Sequence, residues 1–267
     1  MKNISILGCG WLGLPLAKAL LEKGFHVKGS TTSEAKIPVF ENSGIAGFLV
    51  ALLPQRVQGE LTAFLENTEI VIIAIPPQLR GLHSENFVAK IGLLRPFIEA
   101  SSVKKVLFIS STSVYGEDSA MVTEETNPNP DSEAGKQLLL AEALLQESRS
   151  FETTVVRFGG LIGEDRHPIK FLAGRENIEN PDAPINLIHQ KDAIGIILKI
   201  IEQEVWNETF NAAAPFHPSR KSYYTQKAIE HQLPLPNFST ENTIIGKTIL
   251  SDKITKKLGY SFQENEF

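Results

Sequence analysis

The stretch Gly8-Cys9-Gly10-Trp11-Leu12-Gly13 constrains this chain more than any other. Its spacing is GxGxxG. It follows the short apolar run Ile4–Leu7 directly and opens the helix-patterned segment Trp11–Lys23, which ends at Gly24. In that context each glycine has a task. Gly8 permits a tight turn, Gly10 lets the backbone approach a pyrophosphate, and Gly13 lets helix and strand pack closely. The helix N-terminus then offers unpaired N–H groups and a positive dipole end to phosphates. Nucleotide binding is therefore expected, against the plainer reading of a glycine-rich turn without a ligand. Cys9 reads as a small loop residue rather than a reactive thiol.

The rest of the chain repeats this grammar. Strand candidates are Phe25–Ser30, Ala46–Val50, Glu69–Ile75, Lys105–Ser110 and Thr153–Phe158. Helix candidates between them are Glu60–Asn67, Glu85–Ala100 and Glu133–Arg149. Uninterrupted Val/Ile/Leu strands separated by helices mean a parallel sheet covered on both faces. The expected fold class is therefore α/β: a Rossmann-type doubly wound parallel sheet with a small C-terminal substrate lobe. The expected domains are a dinucleotide-binding domain over 1–163 and a remainder over 164–267. That remainder holds late sheet strands (about 185–213) and a substrate-binding lobe. Pro184–His189 and Thr209–Ala213 are the late strands, around the helix Lys191–Glu204.

Charge and cysteine content exclude several classes. The net charge is −5, without runs of lysine or arginine, which argues against a nucleic-acid or anionic-membrane binder. One cysteine excludes an internal disulfide framework and a CxxC metal site. No HxxH, HExxH or paired acidic cluster suggests a metal, and no G-x-S-x-G elbow suggests a hydrolase. The apolar stretch before Cys9 is about five residues, shorter than the roughly 7–15 of a signal peptide. No uncharged run is long enough to span a membrane. The expectation is a cytoplasmic monomer or homodimer acting on a small molecule.

The end of the second strand should read the adenosine ribose. An NAD site commonly has Asp or Glu there, to hydrogen-bond the 2′-hydroxyl. This chain has Gly29-Ser30-Thr31-Thr32-Ser33, with Lys36 nearby and no acid before Glu34. Hydroxyls without a carboxylate favour NADP, with NAD second; Ser33 also reads as a simple helix cap. The expected cofactor-binding set is Gly8, Gly10, Trp11, Leu12, Gly13, Thr31, Thr32, Ser33 and Pro76.

Ser110-Ser111-Thr112-Ser113-Val114-Tyr115-Gly116 closes the fifth strand. Arg157-Phe158-Gly159-Gly160-Leu161-Ile162-Gly163 and Asn186-Leu187-Ile188-His189-Gln190-Lys191-Asp192 follow in order. Together these segments resemble the extended short-chain dehydrogenase/reductases, the superfamily of NAD-dependent epimerases and dehydratases. The resemblance covers nearly the whole chain. It implies a catalytic Ser at Ser111, four residues before Tyr115. It also implies a general acid/base Tyr and a helper Lys, spaced YxxxK, on the following helix. Aligned on Gly135 and Glu142, those two places hold Ala134 and Leu138, which suggests an atypical subgroup. The literal YxxxK at Tyr223–Lys227 lies far beyond that helix and reads as coincidence.

Without that pair, carbonyl/alcohol hydride transfer needs another proton donor. Tyr115 and His167 are the expected candidates, with Ser111 orienting the substrate oxygen. Arg166, Lys170 and Arg175 are expected to bind an anionic substrate group. His26, His83, His217 and His231 show no constellation. Two main readings follow. One is an atypical NAD(P)-dependent oxidoreductase or epimerase acting on a small polar, anionic or sugar-nucleotide substrate. The other is a non-catalytic NADP-binding redox sensor or regulatory protein. A 3-hydroxyacid or prephenate-type dehydrogenase is disfavoured by the Tyr115 and His189 segments and the late strands.

Overall fold

The computed structural model describes residues 2–77, 85–117, 120–240 and 246–264. The described strands are β1 (Asn3–Leu7), β2 (His26–Thr31), β3 (Ala46–Leu52), β4 (Val57–Gly59), β5 (Ile70–Ile73), β6 (Lys105–Ser111), β7 (Met121–Val122), β8 (Glu152–Phe158), β9 (Gly160–Ile162), β10 (Leu187–His189), β11 (Thr209–Ala212) and β12 (Thr248–Ile249). The described α-helices are α1 (Gly13–Glu22), α2 (Ile37–Glu41), α3 (Leu61–Leu65), α4 (Phe87–Glu99), α5 (Glu133–Gln146), α6 (Ile169–Leu172), α7 (Gln190–Glu202), α8 (Arg220–Glu230) and α9 (Asp252–Leu258).

The chain is an α/β protein built on one large, mostly parallel Rossmann-like sheet, in the order β11-β8-β6-β5-β1-β2-β3-β4. The central pairs β6/β5, β5/β1, β1/β2 and β2/β3 are parallel, and β4 joins β3 antiparallel at the edge. Apolar pattern and position agree. All four residues of β5 are buried, as are the last four of β1, because helices cover both faces of the sheet centre. Strand order runs outward from β1 through β2 and β3 on one side, and through β5 and β6 on the other. That reversal between β1 and β5 opens a crevice at the carboxyl ends of the strands.

Two helices on the β5–β6 side are firmly started. Asn86 Oδ1 accepts from Ala89 N–H at 2.9 Å at the head of α4, and Ser132 Oγ accepts from Gly135 N–H at 3.1 Å at the head of α5. Gln137 of α5 also accepts from Phe87 N–H at 2.6 Å, tying the first turn of α4 to α5.

The two late strands part company. Thr209–Ala212 forms the edge strand β11, whereas Leu187–His189 pairs with β9 in a separate two-stranded sheet. Glycine permits the close approach between the segments that lead into β9 and β10. A Cβ on Gly159 would lie 2.6 Å from the carbonyl oxygen of Asn186, so only glycine lets the chain leave β8 and run beside β10.

The chain forms two compact units that interleave along the sequence. One comprises Met1–Ser111, Ser132–Arg157 and Ile197–Phe210, and the other Thr112–Asp131, Phe158–Ile196 and Asn211–Phe267. The boundary expected at 163 falls inside the second unit's 158–196 stretch. That unit has its own apolar cluster of Ile162, Ile169, Ile185, Leu187, Tyr223, Tyr224 and Ala228. No described helix is long and apolar enough to cross a membrane.

Candidate functional site

The glycine loop is held in shape by the next strand. Gly8 N–H donates to Ser30 Oγ at 2.9 Å, and Cys9 N–H donates to the Ser30 carbonyl at 2.9 Å. Gly8 has φ +104°, a conformation that an L side chain rarely adopts. A Cβ on Gly13 would lie 2.3 Å from the Gly8 carbonyl oxygen, so the start of α1 sits directly on the turn. Gly10 differs: a Cβ there meets nothing within 4 Å. The loop is closed against the protein at Gly8 and Gly13 and open at Gly10, the arrangement expected where a ligand backs onto the main chain.

That open side faces a cavity of about 420 Å³, within the range of small-molecule sites. Its floor is Leu7–Gly10 at the end of β1. One wall comes from Ser30–Thr32 with Lys36, and from Val50–Leu53 at the end of β3. The other wall is Ala74–Pro76 after β5, with Glu85 and Lys90 from the head of α4. Among the described residues, two cations, one acid and a glycine loop at a helix N-terminus make a lining suited to a phosphate-bearing ligand.

Of the residues expected at a cofactor, Gly8, Gly10, Thr31, Thr32 and Pro76 line this cavity. Trp11, Leu12, Gly13 and Ser33 are not among its lining residues. Leu12 and Gly13 are buried in packing, and Trp11 is half-buried. Ser33 is exposed at the N-cap position of a short 3₁₀ turn, without a capping hydrogen bond from its side chain. The hydroxyl run is partly spent on structure. Ser30 holds Gly8, and Thr31 Oγ1 accepts from Ser33 N–H at 3.1 Å, leaving Thr32 and Lys36 at the surface of the cavity. Cys9 is buried, and burial pushes its thiol up to about 12, so at neutral pH it is a protonated packing group.

Sequence reasoning missed Lys90 and Glu85. Lys90 is only 6% exposed and forms an ion pair with Glu85. The available signal was a charge set among Phe87, Ile91 and Leu94, which form the buried face of α4.

The same unit also contains a buried ionic knot. Arg157 of β8 donates from Nη2 to Glu142 Oε2 at 2.6 Å, and from Nε to both carboxylate oxygens at 3.1 and 3.2 Å. Ser110 of β6 donates to Glu142 Oε1 at 2.5 Å. The knot fixes the end of β6, where Ser111 stands half-buried as the last residue of the strand. On α5, Ala134 is half-buried and Leu138 is buried in the core.

The remaining expected residues lie in the second unit. Tyr115 is 2% exposed, and its hydroxyl donates to Asn211 Oδ1 at 2.9 Å. Its backbone carbonyl accepts from the buried Lys247 Nζ at 2.6 Å. His167 is buried too. Its Nδ1 accepts from Ile169 N–H at 3.2 Å, which leaves the ring proton on Nε2, 2.9 Å from Tyr223 Oη. Burial, then the neighbouring His231, Lys227 and Lys170, hold the ring down to about 4, so it is neutral near pH 7. Arg166, Lys170 and Arg175 are exposed; Lys170 Nζ reaches the Asp165 carbonyl at 3.3 Å.

The sequence showed no constellation at His231, yet the fold sets its ring 5.8 Å from that of His167. His83 lies outside the described residues. The literal YxxxK does form a cluster: Lys227 Nζ is 5.9 Å from the Tyr223 ring centroid and pairs with Glu230 at 2.6 Å. Burial raises the Tyr223 phenol, however, which is the reverse of what proton donation through a tyrosinate needs.

No family model matches the sequence. Among solved structures, the fold is similar to a putative NAD-dependent epimerase/dehydratase from Methylobacillus flagellatus. The TM-score is 0.81 at 24% identity, covering 99% of this chain and 94% of that one. It is also similar to UDP-glucuronic acid 4-epimerase from Bacillus cereus in complex with NAD, with TM-score 0.80 at 19% identity, covering 98% and 92%. These likenesses establish the fold. In sequence, 266 residues are 32% identical to Protein YeeZ of Escherichia coli K12, covering 98% of this chain and 96% of that protein. With a match of that extent along both chains, this protein belongs to the YeeZ family.

Proposed function

We propose that the protein binds a nicotinamide dinucleotide in the cavity at Gly8–Gly10 and acts on a small polar substrate as an atypical NAD(P)-dependent oxidoreductase or epimerase. The observation that carries this reading is the contrast within the glycine loop. Gly8 and Gly13 are closed in by backbone, while Gly10 opens onto a lined cavity at the strand-order reversal. The fold relatives named above include an epimerase seen with NAD, which supports the same choice of ligand.

The loop N–H groups and the head of α1 would hold the pyrophosphate. Thr32 and Lys36 would face the adenosine ribose, and the absence of a carboxylate among Ser30–Ser33 favours NADP over NAD. When bound, the dinucleotide would supply a hydride acceptor or donor; the chain's own work is to hold it and to orient the substrate. Ser111 would orient the substrate oxygen by hydrogen bond. Arg166, Lys170 and Arg175 would meet an anionic substrate group. Tyr115 and His167 remain the proton-donor assignments. Each would have to exchange its present partner, Asn211 or Tyr223, for substrate during the reaction.

Those internal hydrogen bonds, together with Ala134 and Leu138 on α5, favour one second reading: a non-catalytic NADP-binding sensor or regulator. The test is a fluorescence titration of the purified chain with NADPH and NADH, alongside a turnover screen of carbonyls, alcohols and sugar nucleotides. Tighter binding of NADPH, abolished by Gly10→Asp in a folded variant, is expected. A Cβ at Gly10 enters open space, so that variant should fold while its carboxylate opposes the phosphates. No binding of either dinucleotide, or equal binding by Gly10→Asp, refutes the reading. Binding without any turnover selects the sensor.

A further inference from the structure

The dinucleotide cavity contains a buried cation that neither the glycine motif nor the hydroxyl run accounts for. Lys90 projects from the first turn of α4 into the cavity lining and is almost fully buried. Its base is rigid. Asn86 caps the helix at Ala89 N–H and Gln137 holds Phe87 N–H, so the first turn of α4, which carries Lys90, is held at two points. Its ammonium pairs with Glu85, which also lines the cavity and is partly exposed. A lysine on a buried helix face costs desolvation energy that an aliphatic residue would avoid. A single half-exposed carboxylate offsets that cost only in part.

We propose that Lys90 is a pyrophosphate-binding residue, and that Glu85 occupies its ammonium until a dinucleotide arrives. This rests on the reading of the cavity as a dinucleotide site and assigns it a further binding residue. The electrostatics favour exchange. The glycine loop contributes N–H donors and a helix dipole but no full charge. Lys36 belongs to the adenosine-ribose wall, while Lys90 and Glu85 belong to the α4 wall. Among the described lining residues, an anionic pyrophosphate therefore finds a full positive charge on the α4 side only by drawing Lys90 away from Glu85. Glu85, being partly exposed, can return to water at little cost. Lys36 and Lys90 would then divide the phosphates, Lys36 toward a ribose 2′-phosphate and Lys90 toward the pyrophosphate that NAD and NADP share.

Titration of the native chain, Lys90→Met, Lys90→Arg and Glu85→Gln with both NADPH and NADH tests the assignment. One charge-assisted hydrogen bond lost should weaken Lys90→Met about 10- to 100-fold for both dinucleotides alike. Lys90→Arg should recover most of that, and Glu85→Gln should bind more tightly than the native chain. The salt dependence of the dissociation constant should be shallower in Lys90→Met. A melting curve without ligand reports whether each variant folds. If Lys90→Met does not fold, weaker binding by Glu85→Gln overturns the proposal by itself. Lys90→Met binding within about threefold of native overturns it while leaving the dinucleotide site intact. A loss confined to NADPH also overturns it, since Lys90 would then read the 2′-phosphate. If the native chain binds neither dinucleotide, the reading of the cavity fails and this assignment fails with it.

Discussion

Replacing Glu142 by Leu should be among the most destabilising single changes available in the first unit. The carboxylate is 2% exposed and accepts from Arg157 through Nε and Nη2 and from Ser110 through Oγ. Its removal leaves a buried guanidinium without its carboxylate and a buried hydroxyl without its acceptor. Breaking a buried pair in this way costs about 3–5 kcal/mol. At roughly 2–4 °C per kcal/mol for a chain near this size, the melting temperature should fall by about 6–20 °C. The double variant Glu142→Leu with Arg157→Met should recover much of the loss, because it removes the buried charge that the carboxylate offset and fills the site with apolar volume. Recovery should be incomplete, since Ser110 still lacks its acceptor. Thermal melts of the native chain, the single variant and the double variant, followed by circular dichroism, give the comparison. A fall of less than about 3 °C for Glu142→Leu, or a double variant no more stable than the single, would refute the account of the knot.

Cys9 should resist alkylation in the folded protein at pH 8 and react readily in urea, because its thiol is buried and held protonated; rapid native labelling would contradict that. His167 sets an acid limit. Its folded value near 4 lies below the ordinary 6.5, so between those pH values the unfolded chain takes up a proton that the folded ring refuses. Stability present above pH 6.5 should therefore drain away as pH falls toward 4. His167→Gln should flatten that part of the melting-temperature profile, and an unchanged slope would show that the ring does not contribute.

The alternation of apolar strands and helices was legible because a sheet covered on both faces demands continuous Val/Ile/Leu runs, as in Ile70–Ile73. The glycine loop was legible because its spacing is tied to a strand before it and a helix after it. The partner of Leu187–His189 was not, since three apolar residues look the same whether they join the large sheet or pair with β9. The lysine in the cavity was not singled out either. Lys90 breaks an apolar helix face, and sequence alone cannot tell a buried charge from one that reaches solvent. The His167–Tyr223 contact joins residues 56 apart in the chain, and only the folded second unit brings them together. Ser33 shows the opposite failure: a residue type suited to a ribose phosphate, and close to the right place, that stands outside the cavity lining.

The most direct test of the central claim is a crystal structure of the protein grown with NADP. The account predicts the pyrophosphate against the N–H groups of Gly8–Gly10 and the head of α1. The adenosine ribose should lie beside Thr32 and Lys36, and the nicotinamide end should run past Ala74–Pro76. A dinucleotide bound elsewhere, or a glycine loop with no ligand density at saturating NADP, would contradict it.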